Sequence, residues 1–557
     1  MGSQRFLRVL TFCMLVVWTC SLAACAPAPE AASPLNAAAK TVTVTIAQEP
    51  DVLNTLYSSS WTSSMLAGLW LRSLWSYDPN NVPVLEVAAE LPTVANGGLA
   101  ADGKSLTIKL RPDAVWSDGI PVTADDYVFT YDMIMADGNK PESRYPYDEY
   151  VEQVQAVDDH TLQIKLTEPL ASWQSSLFAY VLPKHVLEPV FSQEGTLDNA
   201  EWNRKPAVGI GPYVLSEWES GSHLVFQRSE HWFGEQPAID RIFVRIVPDD
   251  AAQVAAIKAG DSDIGSLLSF TDLDDIEANG QATTQSALSG YVEGMYLNFD
   301  AKTGHAALQD RRVRQALVFA TDRAAIIRDL LKGRTSAPET FWDATPPYGD
   351  HAVKPYQFDP EKARSLLEEA GWVDSNGNGT RDKDGVELVL RYVTDDRQMR
   401  QDVQAVVQQM WAAVGIGSEL QAIPSDILFG SYQDGGPLAT GAYDVAEFSN
   451  STAFPDPDAS EYWLCSEIPS PDYPLGSNWQ SYCNEQLDAL LEQQATTSDP
   501  EERPALYQEI EQIMHDDVVW VGLWLDPDLW SVSKRLSNVK FSGATPFWNV
   551  TEWDVTP

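Results

Sequence analysis

The sequence predicts a mixed α/β fold. Short period-two apolar runs alternate along the chain with helical patterns that carry start and stop residues. Its 557 residues also suffice for about three or four units of ~150 residues each. Val42-Thr43-Val44-Thr45-Ile46 alternates with period two and predicts an opening strand. Asp102-Gly103 is a hairpin turn signal, followed by Leu106, Ile108 and Leu110 on alternate positions. Thr123-Ala124-Asp125-Asp126 is a helix start, with Thr123 as cap and acids in the first turn, where the dipole favours them. Gly209-Ile210-Gly211-Pro212 is a fragment of a glycine-rich loop, and its proline predicts a rigid turn. Val313 to Leu331 has a helical pattern with Gly333 as its stop. Asp359-Pro360-Glu361 opens another helix, with Ala363, Leu366, Leu367 and Ala370 on one face and Gly371 ending it. Asp488 to Trp520 is helical in pattern apart from a break near Ser498-Asp499-Pro500. The chain carries no internal repeat.

Composition is ordinary for a globular protein, with 44% hydrophobic and 21% charged residues. The charge is not: Asp and Glu total 80 against 37 Lys and Arg, a net charge of −43. Binding nucleic acid needs a basic face that displaces counterions, so nucleic acid is not expected as a partner. Docking onto an anionic membrane surface is disfavoured for the same reason. Such acidity suits solubility in a salty or extracellular medium.

The N-terminus reads as a targeting segment. Arg5 and Arg8 precede an apolar run from Val9 to Ala24 that is shorter than the ~20 residues of a membrane span. It ends Leu22-Ala23-Ala24-Cys25, which resembles the lipobox of bacterial lipoproteins and makes Cys25 the expected lipidation site. The expected layout is a signal peptide over 1–24 and a lipid-anchored Pro/Ala tether over 25–41. The membrane would then be met through the lipid alone.

Cys13 and Cys20 leave with the signal, so Cys465 and Cys483 are expected to form a disulfide in this exported chain. The histidines are scattered, and neither a zinc HExxH, a GxSxG elbow nor a phosphate-binding GxxxxGK[ST] loop is present. No cofactor, metal or catalytic residue is expected. One loop carries a weak metal signal. Asp374, Asn376 and Asn378, with Asp384 further on, resemble half of a calcium loop, but Gly385 stands where the bidentate glutamate belongs. A tight Asp/Asn/Gly turn is the preferred reading.

Several segments together resemble the family 5 extracellular solute-binding proteins, the peptide, oligopeptide and nickel receptors of ATP-binding-cassette importers. They are Glu49-Pro50-Asp51-Val52-Leu53-Asn54, then Asp102 to Pro112, and Trp116-Ser117-Asp118-Gly119 continuing to Asp126. Gly209 to Tyr213, Asp310 to Ala316 with Asp322-Arg323, and Asp359 to Ala363 with Ala370-Gly371-Trp372 follow in order. The resemblance implies a two-lobed, periplasmic-binding-protein-like clamshell with an extra subdomain in lobe I. Lobe I would comprise 42–297, with the subdomain at about 85–205, and a C-terminal return over 523–557; lobe II would comprise 298–522. It further implies an extracytoplasmic, monomeric protein that captures a solute without chemistry and presents it to the permease subunits of an importer.

The expected ligand is a small peptide, with an oligosaccharide as the alternative. An exported hydrolase and a surface signalling receptor are competing readings from other classes. Aromatic faces suit either ligand, and the candidates in turn-rich segments are Tyr57, Trp61, Trp342, Phe454, Trp463, Trp479 and Trp548. Asn450, Asp456 and Asn478 are the candidate polar contacts. Peptide receptors of the family resemble one another in an aspartate that pairs with the peptide amine. Ala453 stands at the matching position here, with Glu447 or Asp456 as possible substitutes.

Overall fold

The computed structural model describes residues 40–556 except 59, 267, 346–347, 350–352, 452–453, 475 and 498–501. Cys25 and Ala453 therefore lie outside the described residues. Two large sheets organise the body. The first has seven strands in the order Ala282–Ala287, Asp528–Ser533, Ile264–Gly265, Thr41–Ile46, Arg241–Ile246, His223–Arg228 and Tyr213–Glu219. The opening strand lies near its centre, parallel to both neighbours. The second has five strands in the order Gly417–Ala422, Val389–Thr394, Val445–Ser451, Tyr291–Leu297 and Trp520–Leu525. A three-stranded antiparallel sheet is built from Ser105–Lys109, Thr161–Leu166 and Val151–Asp158.

The second sheet is buried on both faces. Met295, Leu390, Tyr392 and Leu523 enter one apolar core, while Tyr296, Val393, Phe448 and Trp520 enter another. Alternation along each strand sends neighbouring side chains to opposite cores. Tyr296 and Phe448 stack with ring centres 3.9 Å apart. A third core joins the first sheet to the three-stranded sheet.

Local signals act as the sequence predicts at several helix ends. The Asp126 carboxylate accepts the Thr123 N–H at 2.9 Å and starts helix Ala124–Met135. The Asp359 carboxylate accepts the Lys362 N–H at 2.9 Å, and Pro360 takes the first position of helix Pro360–Glu369. Gly209 and Gly211 are needed for close approach. The N–H groups of Ile210 and Gly211 both donate to the Trp70 carbonyl, at 2.9 and 2.8 Å, which satisfies the end of helix Trp61–Trp70.

Three expectations are corrected. Val313 to Leu331 is two helices, Arg311–Phe319 and Arg323–Asp329, because the Asp322 side chain caps the second by accepting the Ala325 N–H. The C-terminal helical stretch comprises Glu485–Thr496 and Glu502–Asp517, and Trp520 opens a strand instead of ending a helix. The apolar run from Val519 to Leu525 carries no helical stripe and is buried throughout, as a strand covered on both faces requires. Finally, Tyr291–Leu297 and Trp520–Leu525 both pair within the second sheet. Strand membership therefore puts the chain crossings at 288–290 and 526–527, not at 297/298 and 522/523.

Cys465 and Cys483 are joined in a disulfide across 18 residues. Closing a loop of that size constrains the unfolded chain by about 3 kcal/mol. A Cβ on Gly211 would lie 2.5 Å from the Leu69 carbonyl oxygen, a backbone atom that cannot swing away. Gly211→Ala is expected to destabilise the fold by about 1–3 kcal/mol, read as a lower urea midpoint at unchanged slope. An unchanged midpoint would mean that the contact relaxes freely.

Candidate ligand cleft

Two cavities share the indole of Trp61, which tops helix Trp61–Trp70 and lies 5.8 Å from Trp530. The first, of 290 Å³, is walled by Trp75, Tyr77, Phe178 and Tyr180 on one side and by Phe454 and Pro455 on the other. The second, of 530 Å³, lies where the two sheets meet. Phe270, Asp528 and Leu529 line it from the first sheet's side; Tyr291, Glu293, Arg400, Ser449 and Trp524 line it from the second. A third cavity, of 870 Å³, runs between Tyr145–Ser176 and Ser451–Thr496 and presents Glu149, Glu168, Asp458, Glu461, Glu467 and Glu492.

The floor of the second cavity is an ionic cluster centred on Arg400. Helix Gln398–Ala412 buries Arg400, Val403, Gln404, Val407 and Trp411, so helical phase carries the guanidinium inward with the apolar residues. Arg400 donates to both oxygens of Glu293, at 3.0 and 2.9 Å, and to Ser449 Oγ at 2.9 Å. It also donates to the Asp395 carboxylate. Only 2% of Arg400 and 1% each of Glu293 and Asp395 is exposed, so these charges have little water to fall back on.

Acids outnumber this guanidinium. Burial pushes the Glu293 carboxyl up to about 7 against the pull of Arg400, with Asp526 adding repulsion. Burial, again with repulsion from Asp526, pushes Asp528 up to about 7. Asp526 is itself raised by burial, opposed by Arg400 and Arg397. Behind them, burial and the nearby Glu293 charge lift Glu447 well above the usual carboxylate range, and its Oε2 accepts the Tyr392 hydroxyl.

The candidates read from the sequence divide. Trp61 and Phe454 line the cavities. Asn450 is half-buried on strand Val445–Ser451, and its Oδ1 accepts the Ser451 N–H at 2.9 Å. Trp479 packs against Phe429 and Phe448. Trp548 is half-buried in the C-terminal segment. Tyr57 packs on the core between the first sheet and the three-stranded sheet with its hydroxyl beside Asp198, and burial, with that charge, raises the phenol. Four are corrected. Trp342 and Trp463 are core residues, packed edge-on against Tyr507 and Phe341. Asn478 is wholly buried and donates to the Leu464 and Tyr482 carbonyls at 2.9 and 2.8 Å. Asp456 is paired with Arg503, so its charge is spent within the fold. Glu447, the other possible substitute for a ligand-facing carboxylate, lies in the floor with no exposed surface.

In the Asp374 loop the carboxylate accepts the N–H groups of Gly377, Asn378 and Gly379, while Asn376 accepts from Asn378. These oxygens are turned onto the loop's own backbone, which is the geometry of a tight turn. Asp384 sits with φ +53° at the turn that follows.

The sequence reading missed Arg400, Glu293, Asp526 and Asp528. A local signal exists for the last two: Asp526-Pro527-Asp528 interrupts an otherwise apolar run from Val519 to Trp530.

The pattern of the bacterial extracellular solute-binding proteins, family 5 Middle, matches residues 91–471. The chain belongs to this family. The oligopeptide-binding protein AppA of Bacillus subtilis is 28% identical over 513 residues, spanning 91% of this chain and 90% of that protein. The nickel-binding periplasmic protein of Escherichia coli is 27% identical over 438 residues, spanning 76% and 78%. The solved structure of Bacillus subtilis AppA in complex with a nonapeptide superposes with a TM-score of 0.71 at 24% identity, covering 93% of this chain and 99% of that one. The fold is thus the two-lobed clamshell of the family 5 binding proteins. Family 5 proteins bind solutes outside the cytoplasm, and among the described residues no helix is long and apolar enough to cross a membrane.

Removing the Arg400 charge leaves the buried Glu293 without its ion-pair partner and Asp395 with Arg397 alone. Arg400→Met is expected to lower stability by about 3–5 kcal/mol in urea unfolding at neutral pH. A loss under about 1 kcal/mol would show that the cluster relaxes into water. The pH dependence has a definite sign. Glu293, Asp526 and Asp528 bind protons more tightly in the folded than in the unfolded chain. The stability that Glu293 and Asp528 contribute is complete below about pH 4 and is lost as pH rises through about 7, and that of Asp526 is lost in the same direction. Asp528 faces Asp526, Glu293, Asp250 and, beyond them, Arg397 and Arg400. Asp528→Asn should therefore gain stability over the wild type steadily between about pH 4 and pH 7 and level off above that. A pH-independent difference in thermal unfolding would contradict this.

Proposed function

We propose that the protein captures a peptide-like solute between two lobes and delivers it to the permease subunits of an ATP-binding-cassette importer. The observation that carries this reading is the 530 Å³ cavity beside Trp61, whose walls come from the strands of both large sheets and combine aromatic faces with buried charge. Rigid aromatic walls give contact area at little entropic loss, and a few fixed polar groups orient the ligand. A solute touching both walls favours the closed arrangement, because only there are all its contacts made. The crossings at 288–290 and 526–527 are the hinge in this reading, and the segment around 85–205 is the extra subdomain of the first lobe. Relatives named for oligopeptides and for dipeptides support a peptide ligand. The role is capture without bond breaking, by a monomer held at the outer face of the membrane through a lipid on Cys25.

Native mass spectrometry of the protein extracted from membranes in mild detergent tests the reading. The expected result is a set of bound masses that resolve, after release in denaturant, into peptides. Hexose-spaced masses would replace the peptide with an oligosaccharide. Steady cleavage of supplied peptides by clean protein would make the chain a hydrolase instead.

A further inference from the structure

The carboxylates of the second cavity are not balanced within the fold. Arg400 is consumed by Glu293 and Asp395, and Arg397 lies 3.3 Å from the same Asp395. Among the described residues no ion pair reaches Asp526 or Asp528. Asp528 is 9% exposed, lines the cavity, and has an Oδ2 buried without a hydrogen-bond partner. The Trp61 and Ser289 side chains stand beside its carboxylate. A buried acceptor facing an empty volume, next to a second carboxylate, is incomplete: it lacks a donor that also carries positive charge.

We propose that Asp526 and Asp528 form a seat for a cationic group of the solute, a protonated amine or guanidinium, entering the 530 Å³ cavity beside Trp61. This rests on the peptide-like reading above and names the chemistry that the site selects. The Trp61 face supplies a further attraction for a cation brought alongside it. The third cavity, though separate, is also acidic, with Glu149, Glu168, Asp458, Glu461, Glu467 and Glu492 and no basic residue in its lining.

The position of the seat couples charge to closure. Asp528 opens strand Asp528–Ser533 of the first sheet, and Asp526 directly follows strand Trp520–Leu525 of the second. Only Pro527 separates them, at a crossing between the sheets. Without a cation, bringing Glu293, Asp526 and Asp528 together in a dry cleft is opposed by their mutual repulsion. A cation between them removes that opposition only when the lobes are together, which is the differential affinity that a ligand-driven closure requires.

Isothermal titration calorimetry of the wild type and of Asp526→Asn and Asp528→Asn tests the seat. The probes are Ala-Lys-Ala, Ala-Ala-Ala, acetyl-Ala-Lys-Ala and acetyl-Ala-Ala-Ala. The wild type should bind each of the first three at least tenfold more tightly than acetyl-Ala-Ala-Ala. The ranking of Ala-Ala-Ala against acetyl-Ala-Lys-Ala tells whether a terminal amine or a side-chain amine occupies the seat. Both variants should lose the preference. Equal binding of all four peptides to the wild type would overturn the seat alone, independently of how the variants fold. A preference retained in both variants would also overturn it. Failure of every peptide, with maltotriose binding in the same cell, would overturn the peptide-like reading and the seat with it.

Discussion

The Arg400 guanidinium holds the cleft floor together. It ties strand Tyr291–Leu297 through Glu293, the loop before its own helix through Asp395, and strand Val445–Ser451 through Ser449. A buried ion cluster adds little net stability compared with apolar residues of the same shape, because desolvation consumes most of the attraction. Its effect is on geometry. A planar donor with several fixed directions permits one arrangement of the strands that carry its partners. The walls built on those strands inherit that arrangement, including Tyr291 and Ser449.

The two large sheets are joined in a way that makes relative movement of their lobes inexpensive. Both crossings are short, and each lies directly between a strand of one sheet and a strand of the other. Closure therefore requires changes at few backbone positions while each sheet keeps its own hydrogen bonds. The second cavity lies at the second crossing, where the residues on either side of Pro527 adjoin strands of different sheets.

Much of the fold is legible in the sequence where the determinant is local. The cap at Asp359, the box at Thr123 and Asp126, the opening strand and the stop at Gly371 each depend on residues within one turn or one strand. The break at Asp322 was also written locally, as an aspartate before Arg323, but the apolar pattern on either side concealed it. Tyr291–Leu297 could not be assigned to its sheet by pattern, since an apolar strand fits either. Its partners, Val445–Ser451 and Trp520–Leu525, lie more than 140 and 220 residues away.

The candidate site was legible only in part, for the same reason. Trp61 and Phe454 stand in the cleft, whereas Trp342, Trp463 and Asn478, read from equally turn-rich segments, fill the core. Residue type and local context say that a tryptophan will be largely buried; they do not say whether protein or ligand will cover it. By itself the sequence determined the α/β character, the helix ends, the acidic charge, the pairing of Cys465 with Cys483 and, through its ordered motifs, the family. Tertiary structure alone decided which acids are paired with a cation inside the fold. Asp456 met Arg503 and Glu293 met Arg400, while among the described residues no ion pair reaches Asp526 or Asp528, because partner choice depends on distances across the fold that no sequence spacing sets.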